Sequence, residues 1–393
     1  MIEQKYPLHV AWVAHRGAPI DTGRNAEEFM KTLISADAFL MRDEQPDIIL
    51  FMSGGSERKA ISLMQSEKPV LLLSIRGNNA YAAATEVMAW AVNHNRIALL
   101  SDAADASEKG LLEQWRKTVS LWKSIQGMNA GLIGSVSEWL VASEVPAEKL
   151  ADRFGIFLKE IPWHTLPDYA DFGADVSLMD RFKGYTTPGL EDASKVLSLL
   201  RQTIDKNGLG AIAVECFSLV QQKMVTACLA LAQLNTEGIV AACEGDLASM
   251  AGMILSGKIS GTSTWMANTT YVKKNSIIVS HCTVAFDRVD LPRLTTHYET
   301  DCSLAVKGVL TAREVTLFRL SDNLEQAFIA EGRVVDSPEM DHACRTQVEI
   351  ELPAEALHLL QTRPLGNHLI VAPGKHAEML RLVCYYKGIE IIK

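Results

Sequence analysis

The chain has 393 residues, of which 48% are hydrophobic and 22% charged, the balance of a globular protein rather than of a disordered one. A single hydrophobic core stops growing at roughly 250–300 residues, so more than one domain is expected. The 38 basic residues against 47 acidic ones give a formal charge of −9, which argues against a partner such as nucleic acid, whose phosphates call for a basic face.

Residues 1–163 alternate short apolar runs with longer amphipathic ones, the pattern of a parallel sheet with crossover helices. Strands are expected at 9–14, 47–52, 70–75, 96–100, 130–133 and 156–161, with helices such as 26–40 and 80–93 between them. Small or flexible residues follow three of these runs, at Ser53-Gly54-Gly55-Ser56, Arg76-Gly77-Asn78-Asn79 and Gly134-Ser135. In an open parallel sheet such loops lie at the carboxyl ends of the strands, where ligands bind.

A polar stretch over 162–190 marks a boundary. A second βαβ unit follows over 164–260, with helices at 191–205, 219–234 and 247–255 and strands at 210–217 and 238–243. From 261 to 393 the texture is β-rich, with strands at 265–272, 276–285, 303–309, 314–320 and 347–352, then a strand at 369–372, a helix from 377 and a last strand at 390–392. The expected fold class is α/β: two Rossmann-like αβ domains with parallel sheets (1–163 and 164–260), then a β-rich, antiparallel barrel-like C-terminal domain.

Two nucleotide signatures are set aside. Gly252 to Lys258 has phosphate-loop spacing, but Ile259 stands where the hydroxyl residue is needed, and no Gly-x-Gly-x-x-Gly occurs. No apolar run is long enough to span a membrane, and residues 1–9 lack the apolar stretch of a signal peptide. The seven cysteines all lie after residue 215 and include no Cys-x-x-Cys pair. That pattern fits free thiols in a reducing cytoplasm.

The chemistry concentrates in 213–285. Glu215 ends one expected strand, and Glu244 and Asp246 end the next, so three carboxylates converge on one crevice. His281 closes an apolar run and His368 opens another. Carboxylate oxygens with one or two imidazoles suit Mn²⁺ or Mg²⁺ better than zinc.

Five segments together resemble the L-fucose isomerase and L-arabinose isomerase superfamily, in its shorter members. They are Cys243-Glu244-Gly245-Asp246, Trp265-Met266-Ala267-Asn268, Ser280-His281-Cys282-Thr283, Cys344-Arg345-Thr346-Gln347 and Gly366-Asn367-His368. The 53–57 loop and residues 134–143 fit the same family. The resemblance implies a three-domain enzyme that interconverts an aldose and a ketose through an enediol, with a divalent ion, Mn²⁺, held by Glu244, His281 and His368. In the fucose branch an aspartate lies 24 positions after the glutamate; here that position is Asn268, and an amide cannot act as a base near neutral pH. Glu244 or Glu215 is then expected to move the proton, with Asp246 as a further local acid. The readings left open by Asn268 are a sugar-binding relative without metal chemistry, and a metal-dependent sugar epimerase or lyase.

The resemblance also implies a homo-oligomer, a trimer or hexamer, in which a neighbour's first domain covers the site. Ser53, Gly54, Gly55 and Arg76 are expected to contact substrate in that way, beside Asp246. Arg16, Arg76 and Arg345 are candidates to meet an anionic sugar. Cys216, Cys243 and Cys282 adjoin Glu215, Glu244 and His281, so alternation along a strand turns these thiols away from the site, as small buried hydrophobes.

Overall fold

The computed structural model describes residues 6–64, 66–185 and 187–393. The described residues form two compact units, one within 6–124 with 382–388 and one within 125–381 with 389–393. In the first unit β1 (Leu8–Val13), β2 (Phe39–Met41), β3 (Ile48–Phe51), β4 (Val70–Ser74) and β5 (Ala98–Asp102) form a parallel sheet in the order β2-β1-β3-β4-β5. Every residue of β3 and β4 is buried, as expected of strands covered on both faces by crossover helices. The strand order reverses between β1 and β3, which makes the crevice outside their carboxyl ends the natural ligand position.

The larger unit begins with a second parallel sheet, β7-β6-β8-β9, from β6 (Asn129–Ile133), β7 (Phe157–Ile161), β8 (Ala211–Val214) and β9 (Val240–Cys243). The next helix, Leu247–Ser260, is apolar on all sides because it packs on β8 and β9 and also on strands of the following barrel. Gly252 sits where that helix meets Ile370, and a Cβ there would lie 3.0 Å from the Ile370 side chain. The phosphate-loop spacing is thus a packed helix interior.

The barrel comprises β10 (Trp265–Val272), β11 (Ser276–His281), β14 (Glu314–Leu320), β15 (Gln326–Asp336), β16 (Thr346–Glu351) and β17 (His368–Pro373). The order is β14-β17-β10-β11-β16-β15, all antiparallel, closed by β14 pairing with β15. A separate ribbon pairs β12 (Val289–Thr295) with β13 (Ala305–Leu310), and β18 (Glu390–Ile391) joins β15 in parallel. The expected class, two αβ layers with parallel sheets followed by an antiparallel barrel, is the observed one.

Several boundaries differ from the sequence expectation. The helix expected over 26–40 is Thr22–Leu33, and the chain then turns into the edge strand β2. The strand expected over 210–217 stops at Val214, because Glu215 caps a helix, Cys216–Lys223, through the Ser218 amide. The helix expected over 219–234 is two, Cys216–Lys223 and Cys228–Thr236, separated where Met224 takes φ +56°. The eleven-residue β15 escapes the alternation test because Glu331-Gly332-Arg333 interrupts its apolar run. Among the described residues, no helix is long and apolar enough to cross a membrane.

Candidate metal centre

The geometry starts at the carboxyl end of β9. Glu244 and Gly245 both take left-handed backbone angles, φ +58° and +68°. A Cβ at Gly245 would fall 2.2 Å from the Ser135 carbonyl oxygen, so only glycine permits this turn. Glu244 tolerates its own conformation at a cost of roughly 1–2 kcal/mol, offset by bonds from the Ser137 amide to the Glu244 carbonyl (3.0 Å) and from the Gly245 amide to Val214 (3.0 Å). The turn carries the Glu244 side chain to Trp139, whose indole N–H donates to Oε2 at 2.6 Å. Oε1 remains for the barrel.

His281 ends β11 and His368 begins β17, strands that flank β10. Their Nε2 atoms each lie 3.6 Å from Glu244 Oε1, beyond hydrogen-bond reach. Both Nε2 atoms are buried and have no hydrogen-bond partner. Orphaned buried nitrogens are costly, and here three donors, one carboxylate and two imidazoles, come within 4.8 Å of one another. Donors bound at 2.0–2.2 Å to one ion sit about 3–3.5 Å apart, so the set fits a divalent cation with small adjustment. His368 is prepared for that task by its other nitrogen, Nδ1, 2.8 Å from Asp246 Oδ2. His281 is oriented through Nδ1, which accepts from the Cys282 amide at 2.9 Å and lies 3.1 Å from the Thr283 hydroxyl.

The charges are strongly coupled. Burial opposes ionisation of Glu244, but the His281 and His368 imidazoles outweigh it and hold the carboxyl far below the usual carboxylate range. Burial likewise opposes a charged His368, yet the Asp246 and Glu244 carboxylates push it up to about 9.

Asp246 requires a correction of role. Expected at the substrate, it is fully buried and lies behind His368. It accepts from the Ser249 amide (2.6 Å) and hydroxyl (2.8 Å) and from Arg319 Nη1 (3.1 Å). Arg319, also buried, donates onward to Ser143 Oγ at 2.7 Å and Ala142 O at 3.0 Å. Burial would raise the Asp246 carboxyl, but the Arg319 charge and then His368 keep it well below the carboxylate range. Such a carboxylate–histidine pair fixes the tautomer and orientation of a metal-binding imidazole.

The other expected residues are placed as follows. Glu215 is mostly committed as a helix cap: Oε1 accepts from the Ser218 amide and hydroxyl at 2.8 Å, and Oε2 lies 3.1 Å from Trp163 Nε1. Asn268 lies in β10 opposite both Ser280 and His368, and its oxygen accepts from Asn367 Nδ2 at 2.5 Å. Ser53, Gly54 and Gly55 line a cleft of about 1000 Å³ in the N-terminal unit, with His15, Asn78 and Asn79. Arg76 does not line it; its side chain is 74% exposed and pairs with Asp102 at 3.4 Å. Arg345 is spent on its own unit, donating to Thr296 O at 2.7 Å and pairing with Asp301 at 3.2 Å. Cys216 and Cys243 are buried, with sulfurs 3.3 Å apart. Sequence reasoning missed Trp139 and Arg319, although Trp139 lies in the 134–143 segment already singled out.

No protein-family model matches the chain. Over 170 residues, 40% of the chain, it is 25% identical to a sulfoquinovose isomerase of Clostridium sp. (strain MSTE9), covering 38% of that protein. Over 273 residues, 63% of the chain, it is 22% identical to sulfoquinovose isomerases of Priestia aryabhattai and Priestia megaterium (strain ATCC 12872 / QMB1551), covering 60% of each. The chain thus matches less than two thirds of the length of these relatives.

Proposed function

We propose that the protein is a metal-dependent aldose–ketose isomerase of the fucose/arabinose type, acting on a monosaccharide that carries an anionic group, a sulfonated sugar in particular. The observation that carries this reading is the pair of buried, unpartnered Nε2 atoms of His281 and His368 aimed at Glu244 Oε1. The distant similarity to proteins named sulfoquinovose isomerase supports both the reaction class and the anionic substrate.

Glu244, His281 and His368 would hold a divalent ion, Mn²⁺ by the preference of a mixed carboxylate and imidazole set. Such an ion would supply Lewis acidity at the carbonyl end of the sugar. The residues of the chain prepare the place. Trp139 fixes the carboxylate so that one oxygen faces the histidines, Asp246 holds the His368 ring, and Arg319 keeps Asp246 ionised. Glu244 has its carboxyl held so low that it is a ligand first and a weak base.

The reading extends to assembly: a cytoplasmic homo-oligomer, trimer or hexamer, in which loops 53–57 and 76–79 of a neighbouring copy reach the substrate.

The test is elemental analysis of protein purified with Mn²⁺, joined to NMR detection of solvent deuterium entering a panel of neutral, deoxy and sulfonated sugars. Bound manganese and exchange into a sulfonated aldose are expected. Metal without exchange on any sugar would leave a binding protein, and neither metal nor exchange ends the isomerase reading. Glu244→Gln and His368→Ala are each expected to lose the metal, with activity down by about a thousandfold or more.

A further inference from the structure

An isomerase with an amide at position 268 needs its proton-transferring acid from elsewhere. Two lines of contact leave the triad, from His368 and from Glu244, and meet at one carboxylate. From His368 the line crosses to its strand partner Asn268, whose Nδ2 lies 3.7 Å from Cys344 Sγ, and that sulfur lies 3.5 Å from Glu299 Oε1. From Glu244 the line runs through Trp139 to Phe217, edge-on at 4.7 Å, and from Phe217 to His297, edge-on at 5.6 Å. His297 Nε2 is 3.0 Å from Glu299 Oε2. One thiol therefore separates Glu299 from the amide that stands where an acid is wanted.

The pair is built as an oriented base. The His297 side chain is 7% exposed and that of Glu299 36%, so the imidazole is a buried handle and the carboxylate stays accessible. His297 Nδ1 meets the Thr300 hydroxyl at 3.0 Å, which leaves the Nε2 proton for Glu299. Burial draws the His297 imidazole below its ordinary value against the pull of Glu299, so it serves as a neutral donor. The connection between β12 and β13 that carries both residues is held in a demanding shape, with φ +52° at Asp301 and +48° at Ser303. Arg345 pins it at Thr296, at Asp301 and over the Tyr298 ring at 5.7 Å. Strain of this kind persists only where the surroundings over-determine it.

We propose that Glu299, positioned by His297, is the catalytic base that carries the carbon-bound proton, in place of the acid absent at Asn268. This rests on the isomerase reading above. Glu299 takes the proton from the hydroxyl-bearing carbon next to the carbonyl. The electron pair of the breaking C–H bond becomes the double bond of the enediolate, and the hydroxyl proton passes to the former carbonyl oxygen. Glu299 then returns its proton to the former carbonyl carbon as the other oxygen becomes the new carbonyl. Nothing is oxidised or reduced overall, and no co-reactant is consumed.

The test uses manganese-loaded protein and whichever sugar the wild type turns over. Glu299→Gln is expected to lower kcat by about a hundredfold or more, with KM and manganese content those of the wild type. In Glu299→Ala, added formate is expected to restore about tenfold of the lost rate by standing in for the carboxylate. His297→Gln, which keeps an N–H donor, is expected to retain more activity than His297→Ala. A Glu299→Gln rate within about threefold of wild type at full metal content overturns the proposal, as does a loss in Glu299→Ala that formate leaves untouched. A wild type without metal and exchange overturns the isomerase reading itself, and this is seen before any variant is made.

Discussion

At the barrel rim Glu244, His281 and His368 are all buried, whereas in the N-terminal cleft His15, Asn25, Asn78 and Asn79 are exposed. The rim spends its charges on one another: Asp246 and Arg319 are fully buried, ion-paired and aligned behind a single histidine ring. The cleft combines amides and hydroxyls on a glycine-bearing loop with the carboxylates of Glu57 and Glu86, and its two consecutive asparagines, Asn78 and Asn79, hold left-handed angles of +52° and +55°. Burying unpaired charge is expensive, so a region that pays for buried ionised groups is organised around something that uses their field. Exposed amides cost little and adapt to a polyhydroxylated surface. On the proposed reading the first is the centre for chemistry and the second a surface for recognition, and substitutions in the two regions should differ in kind.

The largest effect is expected behind the rim. Asp246→Ala strands the Arg319 guanidinium in the core, and removing one partner of such a pair costs about 3–5 kcal/mol. Urea denaturation of the metal-free protein reads this directly. Asp246→Asn keeps the shape and loses the charge. It is expected to fold and to bind manganese about 10- to 100-fold more weakly, the usual cost of losing a histidine's outer partner. Wild-type manganese affinity in Asp246→Asn would reduce the pair to packing and erase the contrast with the cleft.

How far the sequence discloses these two regions follows from the range of the contacts. Glu244, His281 and His368 each abut an apolar run, so strand ends betray them, and Gly245 marks the turn that presents Glu244. The cleft is legible for the same reason, since small residues follow the runs that become β3 and β4. The network behind the rim is not legible: Arg319 reaches Asp246 across 73 residues and Trp139 reaches Glu244 across 105. Strand ends also misassign roles. Asp246 reads as a site acid from its position, and only the third dimension shows it facing inward to His368. Glu299 lies in a connection with no periodicity, and although its partner His297 is two residues away, its contact with Cys344 crosses 45 residues.

A smaller effect is expected from pH, and its sign is fixed by His368. In metal-free protein its folded value of about 9 lies above the ordinary 6.5, so the folded state binds the proton more tightly than the unfolded chain does. The contribution is complete below pH 6.5 and is lost as the pH rises through 9. It is worth on the order of 3 kcal/mol. Glu244 and Asp246, held low, act in the opposite sense and only in acid, below the ordinary carboxylate range. Urea midpoints of chelator-treated protein are therefore expected to fall between pH 6.5 and 9. Manganese affinity is expected to rise over the same interval as the imidazole gives up its proton. A flat profile without metal would detach His368 from the two carboxylates.

The smallest effect on stability is expected at the edge of the other region. Arg76 is 74% exposed, 3.4 Å from an Asp102 oxygen that already accepts from the Ala104 and Asp105 amides at 2.9 and 3.0 Å. Asp102 keeps those partners in Arg76→Ala, and an exposed pair of this kind contributes little, so urea stability is expected to change by less than about 0.5 kcal/mol. Recognition is a separate readout. If Arg76 meets the anionic group of a sulfonated sugar, its removal costs a charge-assisted bond, roughly 1.5–3 kcal/mol. KM for that sugar then rises by about tenfold or more, while manganese content and kcat stay unchanged. A neutral sugar that is also turned over serves as the internal control, because its KM has no anion to lose. Equal KM values for the charged substrate in wild type and Arg76→Ala would leave Arg76 as surface, without a part in recognition.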